Sequence, residues 1–135
     1  MKLVHIPTHF VHQIWEKTSP FIANALEYAE DDYSVEQVKV YLSTGNWLLI
    51  AVVNELEEIV GALTVSFINF PNDRVAFINT IGGKLITGTD TYSQLKNILK
   101  SFGATKVQGY CRDSMVRLWQ RFGAKAGNRM VEEEI

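Results

Sequence analysis

Arg112-Asp113-Ser114-Met115-Val116-Arg117-Leu118-Trp119-Gln120-Arg121-Phe122-Gly123-Ala124 ends a strand–helix–strand–helix pattern that occupies residues 75–135. Within the stretch, Met115, Leu118, Trp119 and Phe122 recur at helical spacing, and Gly123 supplies the stop. One step upstream, Leu95, Ile98, Leu99 and Phe102 repeat that spacing on a helix ended by Gly103. Thr91 with Gln94 has the pattern of a capping box at its start. Residues 105–111 lie between the two helices and read as a strand. Residues 75–81, followed by Gly82-Gly83, read as another. Strand, crossover helix and strand in this order predict a parallel pair with a right-handed crossover.

The chain before this unit has a different rhythm. Residues 47–53 are a short, β-branched apolar run that fits a buried strand. Residues 59–70 form a longer strand with Gly61 inside it, and Pro71-Asn72-Asp73 turns the chain. Hairpin-length connections make these strands antiparallel neighbours of the strand at 75–81. The N-terminal third reads as helical. Val11, Ile14, Trp15 and Thr18 mark a first helix, and Ser19-Pro20 is expected to interrupt it. A second helix would then bury Phe21, Ile22, Ala25, Leu26 and Ala29 and close at Glu30-Asp31-Asp32. A third starts at Ser34, with Gln37 completing a capping box. It turns Val35, Val38 and Leu42 inward and ends at Gly45. Residues 128–135 are expected to add an edge strand. The predicted class is α+β: a mixed sheet made of an antiparallel meander followed by a βαβα unit, with helices on both faces.

The bulk numbers set bounds. A length of 135 residues predicts one domain spanning 1–135, and 47% hydrophobic content allows an ordinary core. No apolar run reaches the roughly 20 residues of a membrane span, and no secretory signal pattern opens the chain. The single cysteine, Cys111, excludes an internal disulfide framework. These features predict a protein of the reducing cytoplasm with no membrane partner. The net charge of −2 gives no argument for nucleic acid. Its distribution is uneven: residues 1–83 carry 4 Lys/Arg and 10 Asp/Glu, whereas 96–129 carry 8 and 1. The C-terminal half is suited to an anion. The N-terminal half, including Glu27 and the acidic run 30–32, tolerates a cation.

Two stretches carry a family resemblance. Ile59-Val60-Gly61-Ala62-Leu63-Thr64-Val65 is similar to the "ivG" strand of the GNAT N-acetyltransferase superfamily. Leu118-Trp119-Gln120-Arg121-Phe122-Gly123-Ala124 occupies that family's Leu-Tyr…Gly-Phe helix. Ile81-Gly82-Gly83-Lys84 adds a short likeness to small GNAT-like proteins of bacteriophages and prophages. The resemblance implies an acetyl-CoA-dependent transfer of an acetyl group to an amine, in a host cytoplasm if the protein is phage-encoded. It implies acetyl-CoA lying where the strands at 75–83 and 105–111 splay apart. The pantetheine arm would pair with the first strand, and the pyrophosphate would meet the next helix at its N-terminus. The implied cofactor contacts are Ile81, Gly82, Gly83, Lys84, Gly88, Thr89, Thr91 and Arg112. A bulky residue at Gly83 is then expected to remove cofactor binding and spare stability.

Two departures stand beside the resemblance. The loop Lys84-Leu85-Ile86-Thr87-Gly88-Thr89-Asp90-Thr91 has one glycine where the family has closely spaced glycines, and Asp90 opposes a phosphate. Trp119 stands where the family commonly has a tyrosine acid, and an indole N–H does not donate a proton at useful pH. Tyr110 and Cys111 are the nearest replacements along the chain. Each residue also has a plainer reading: Gly82-Gly83 as a strand end, Lys84 and Arg112 as solvated cations, Thr91 as a helix cap, Trp119 as core. His9 and His12 share a helix face but lack a third ligand, so no metal is predicted. The contrasting reading is a GNAT-fold protein without catalysis, acting in a virion or on a host protein. A nucleic-acid role for 96–129 lacks aromatic interleaving.

Overall fold

The computed structural model describes residues 1–28, 33–83 and 88–135. Five strands form one sheet whose spatial order follows the chain: β1 (Lys2–Ile6), β2 (Leu48–Val53), β3 (Ile59–Asn69), β4 (Arg74–Gly83) and β5 (Lys106–Gly109). The helices are α1 (Val11–Tyr28), α2 (Val35–Ser43), α3 (Thr89–Ser101) and α4 (Asp113–Arg121), and a 3-10 turn at Thr8–Phe10 leads into α1. β1 to β4 pair antiparallel, and β4 pairs with β5 parallel across α3. The meander and the βαβα unit are therefore both present, in an α+β fold.

Alternation in the strands explains the layers. Leu48, Ile50, Val52, Leu63 and Val65 pack with Leu95 and Leu99 of α3 on one face. Leu49 and Ala62 turn to the other face and meet Val11 and Ile22 of α1 and Val38 and Leu42 of α2. Successive side chains leave a strand on opposite sides. A strand covered on both faces must therefore be apolar throughout, which is why β2 shows no alternation in sequence.

Local signals account for the helix ends. The amide of Gln37 donates to Ser34 Oγ at 3.2 Å, and Ser34 N–H donates to Gln37 Oε1 at 2.9 Å, so the capping box at α2 is complete. At the C-terminus of α3, Gly103 N–H reaches the Lys100 carbonyl at 2.9 Å and Ala104 N–H reaches the Leu99 carbonyl at 3.1 Å. That pair is a Schellman motif, and it needs the positive φ of 87° that Gly103 adopts. Gly123 and Ala124 repeat the motif behind α4.

Four expectations are corrected. Residues 2–6, absent from the strand reading, form β1, because Leu3 finds the α3-side core and the backbone finds the free edge of β2. Ser19-Pro20 does not divide the first helix; α1 runs through it. Pro20 deprives the Glu16 carbonyl of its helical donor, but both residues are exposed, so water can serve that carbonyl. Val11, Thr18 and Ile22 meanwhile bury one continuous face across the proline. Gln94 does not close a capping box with Thr91. Its amide receives the Leu3 N–H at 2.9 Å and donates to Asp90 and to the Met1 carbonyl, fastening α3 to β1. Residues 128–135 form no strand and are exposed throughout. Their apolar positions, Met130, Val131 and Ile135, meet no core in the chain.

Candidate functional site

The site begins where β4 and β5 separate. They pair at four positions, from Val75 with Lys106 to Ile78 with Gly109. β4 then continues as a strand to Gly83, still held by β3 through Gly61. β5 stops at Gly109, and the chain leaves through Tyr110, Cys111 and Arg112 into α4. Residues 79–83 are consequently paired along one edge only. A wedge opens beside them.

A bulge supplies the cause. Thr64 pairs with Thr80 but Val65 pairs with Ile78, so Asn79 is an extra residue in β4. An extra residue bends and twists the strand that carries it. This one follows directly on the last β4–β5 pair. Two polar clasps fix it. The hydroxyls of Thr64 and Thr80 bond to each other at 2.7 Å, both buried. The Asn79 amide donates to Ser66 Oγ at 3.0 Å. None of these four residues was singled out from sequence. The available signal was a threonine on each of two neighbouring strands within otherwise apolar runs.

Gly82 and Gly83 lie at the end of β4, and their missing side chains have a packing cause. A Cβ on Gly82 would stand 2.2 Å from the Phe21 carbonyl oxygen of α1. One on Gly83, where φ is +84°, would stand 2.3 Å from the Val60 carbonyl oxygen and 2.7 Å from the Phe21 ring. α1 thus crosses the sheet in backbone contact with β4. The expectation that Gly83 could be replaced without loss of stability is corrected by this contact. Ile81, the residue before the two glycines on β4, is partly buried against the α3-side core.

The next element along the chain after β4 is α3. Gly88 is its cap residue, extended and without a side chain to satisfy the first amides. The Thr91 hydroxyl donates back to the Gly88 carbonyl at 3.0 Å, so it serves none of those amides either. Thr89 is exposed. The Asp90 carboxylate is held 3.1 Å from the Gln94 amide on the helix flank. Lys84 lies outside the described residues, as do the acidic positions 30–32.

The remaining candidates surround the exit of β5. The Arg112 guanidinium lies 5.1 Å from the Tyr28 ring, joining the end of α1 to the start of α4. The Tyr110 ring meets Phe77 edge-on at 5.3 Å, and its hydroxyl points to Met130 Sδ at 3.8 Å, with 62% of the residue exposed. Cys111 is a free, exposed thiol. Trp119 is half-buried in an aromatic group with Tyr92 of α3 and Phe122, in which Tyr92 and Phe122 stack at 5.0 Å. The structure leaves 79–83 unpaired on the β5 side, places Gly88, Thr89 and Thr91 at the start of α3, and ties Arg112 and Trp119 to aromatic neighbours. A separate hollow of about 490 Å³ lies between α1 and the β2–β3 hairpin, lined by Ile14, Lys17, Phe21, Glu57, Glu58 and Ile59. Among the described residues no helix is long and apolar enough to cross a membrane.

No protein-family profile and no curated protein sequence matches the chain. Solved structures do. An aminoglycoside acetyltransferase from an uncultured soil metagenomic sample, in complex with sisomicin, superposes with a TM-score of 0.70 at 13% identity, covering 99% of this chain and 94% of its own. An acetyltransferase of Trypanosoma brucei gives 0.63 at 13% identity, with 99% of each chain covered. Glucosamine-6-phosphate N-acetyltransferase of Arabidopsis thaliana gives 0.62 at 12% identity, covering 98% and 97%. At such identities the likeness is one of fold, and the fold of this chain is that of GNAT-like acetyltransferases.

Proposed function

We propose that the chain transfers an acetyl group from acetyl-CoA to an amine. The observation that carries this reading is the wedge: β4 keeps its strand geometry from Asn79 to Gly83 with no strand on its β5 side, and α3, the next element, starts at Gly88 without a side-chain cap. A flexible arm bearing amide groups fits such an edge, since unpaired backbone N–H and C=O groups recruit an added strand. The amides of Gly88, Thr89 and Thr91 suit the pyrophosphate, because free N–H groups and the helix dipole both favour negative charge there. The fit has one opposing charge, Asp90, which Gln94 holds to the flank.

When bound, acetyl-CoA supplies a thioester. The chain's contribution is positioning along residues 79–83 and exclusion of water from the wedge. On a bound thioester the C–N bond would form as the C–S bond breaks, the amine's proton would pass to water, and the departing sulfur would take a proton from solvent or from Tyr110, whose exposed hydroxyl lies beside the exit of β5. The side chain on α4 that the family uses for this is here an indole, held against Tyr92 and Phe122. That exchange favours a second reading, a GNAT-fold protein without catalysis that acts as a phage virion component or on a host protein.

One experiment separates them. Acetyl-CoA at about 100 times its dissociation constant should stabilise the fold by roughly 2.7 kcal/mol, a melting shift of several degrees at this size. A shift accompanied by release of free thiol with polyamine or aminoglycoside acceptors supports transfer. A shift without thiol release supports the second reading. No shift at millimolar acetyl-CoA overturns the transfer reading and favours the second.

A further inference from the structure

We propose that Thr105, together with Asp73 and Arg74, locks the register of β5 on β4 and so fixes where the wedge opens. As positioning residues for the cofactor they depend on the wedge being the acetyl-CoA site. β5 needs such a lock. It has four residues, none of them buried, and only Val107 packs in part against the α3-side core. A strand that buries so little has a weakly specified register. Register matters here because it sets where pairing ends. Gly109 stands opposite Ile78, and the mouth lies directly beyond. A slip by one residue would move that point by about 3.3 Å.

Polar contacts just before the first β4–β5 pair supply the lock. The Thr105 hydroxyl accepts the Arg74 N–H at 3.0 Å and donates to the Asp73 carboxylate at 3.0 Å. The Thr105 N–H donates to the Arg74 carbonyl at 2.8 Å, so the two residues hold each other through two bonds. Lys106 Nζ lies 3.1 Å from the other Asp73 oxygen. Arg74 extends the hold to the end of α3. Its Nε donates to the Phe102 carbonyl at 2.9 Å, a second guanidinium nitrogen donates to Asn69 Oδ1 at 2.8 Å, and the plane lies over the Phe67 ring at 4.4 Å. A planar guanidinium can meet these partners together, and a lysine ammonium cannot.

Each bond alone is weak at so exposed a position. Thr105 and Asp73 are shared among several of them, however, so a shift of β5 breaks the set at once. At the other end of the strand the Tyr110 ring leans edge-on against Phe77 at 5.3 Å, and among the described residues no backbone bond joins 110–112 to β4. β5 is therefore held at its entry and released at its exit, where the wedge begins.

The test combines amide exchange with acetyl-CoA affinity in the full chain. Thr105→Val keeps the shape of the side chain and removes the hydroxyl, and Thr105→Ser keeps the hydroxyl. Without ligand, Thr105→Val should speed exchange at 106–109 by about tenfold, while the amides of β2, paired on both sides, should change far less. Its dissociation constant for acetyl-CoA, measured by calorimetry well below the melting temperature, should rise by about tenfold or more. Thr105→Ser should restore the wild-type value, and Arg74→Lys should reproduce the loss. A purely stabilising role would lower the melting temperature and leave that affinity alone. Unchanged exchange at 106–109 in Thr105→Val overturns the lock, and faster exchange with wild-type affinity overturns its link to the wedge. If the wild type itself fails to bind acetyl-CoA, the transferase reading falls, and the exchange comparison still decides the lock.

Discussion

Replacing Gly82 by alanine should unfold this protein more readily than its small size suggests. The added Cβ would lie 2.2 Å from the Phe21 carbonyl oxygen, 3.0 Å from its carbon and 3.3 Å from its Cα. All three are backbone atoms of α1, so no side chain can swing away. The helix must lift from β4, and overpacking of this kind costs about 1–3 kcal/mol. At this length 1 kcal/mol corresponds to roughly 3–4 °C in melting temperature, so Gly82→Ala should melt several degrees lower. Gly83→Ala should cost more, because a left-handed backbone adds about 1–2 kcal/mol for a residue with a Cβ to a 2.3 Å approach to Val60. Gly123→Ala supplies the control. Its φ is +98° but nothing stands within 4 Å, so it isolates the conformational term. Urea unfolding of the three variants checks the order. If Gly82→Ala matches wild type within about 0.5 kcal/mol, α1 does not contact β4 through its backbone, and the packing account of the glycine pair is wrong.

Two further outcomes follow from the same geometry. Thr80→Val strands the buried Thr64 hydroxyl and should cost about 1–3 kcal/mol, whereas Thr64→Val with Thr80→Val should recover much of that loss; a double-mutant cycle by urea unfolding measures the coupling. If both single variants are silent, the bulge has another anchor. Stability should also fall with pH in two steps. Burial lowers the pKa of His5, so the unfolded chain takes up a proton first, and stability declines as pH drops below the ordinary histidine value near 6.5. The hydrogen bonds from Lys106 and then Thr105 lower the pKa of Asp73, so its contribution holds above the ordinary carboxylate range and disappears as pH falls through the lowered value. His5→Phe should flatten the first step and Asp73→Asn the second, read from unfolding midpoints against pH.

Much of the fold was legible because its causes are local. Capping at Ser34, the glycine stops at Gly45, Gly103 and Gly123, the apolar periods of α3 and α4, and the β-branched runs of β2 and β3 all act within a few residues. A strand, a helix and a strand in sequence leave little choice beyond a parallel pair. The errors share the opposite character. Pro20 is a breaker by its own chemistry, but a helix face buried on both sides of it outweighs one lost hydrogen bond. Residues 2–6 carry a weak pattern and become a strand because β2 offers an edge.

The candidate site divides along the same line. The chain by itself specified which elements flank the opening, since order and connection length set which strands are neighbours. Only tertiary structure decided that β4 and β5 part after Ile78 and Gly109, because that depends on one extra residue, Asn79, fixed by the Thr64–Thr80 bond between strands. It also decided that Gly82 and Gly83 are glycines for the sake of α1, a helix some sixty positions earlier in the sequence. A distance between atoms far apart along the chain exists only once the chain has folded, and both the wedge and the glycine contacts are set by distances of that kind.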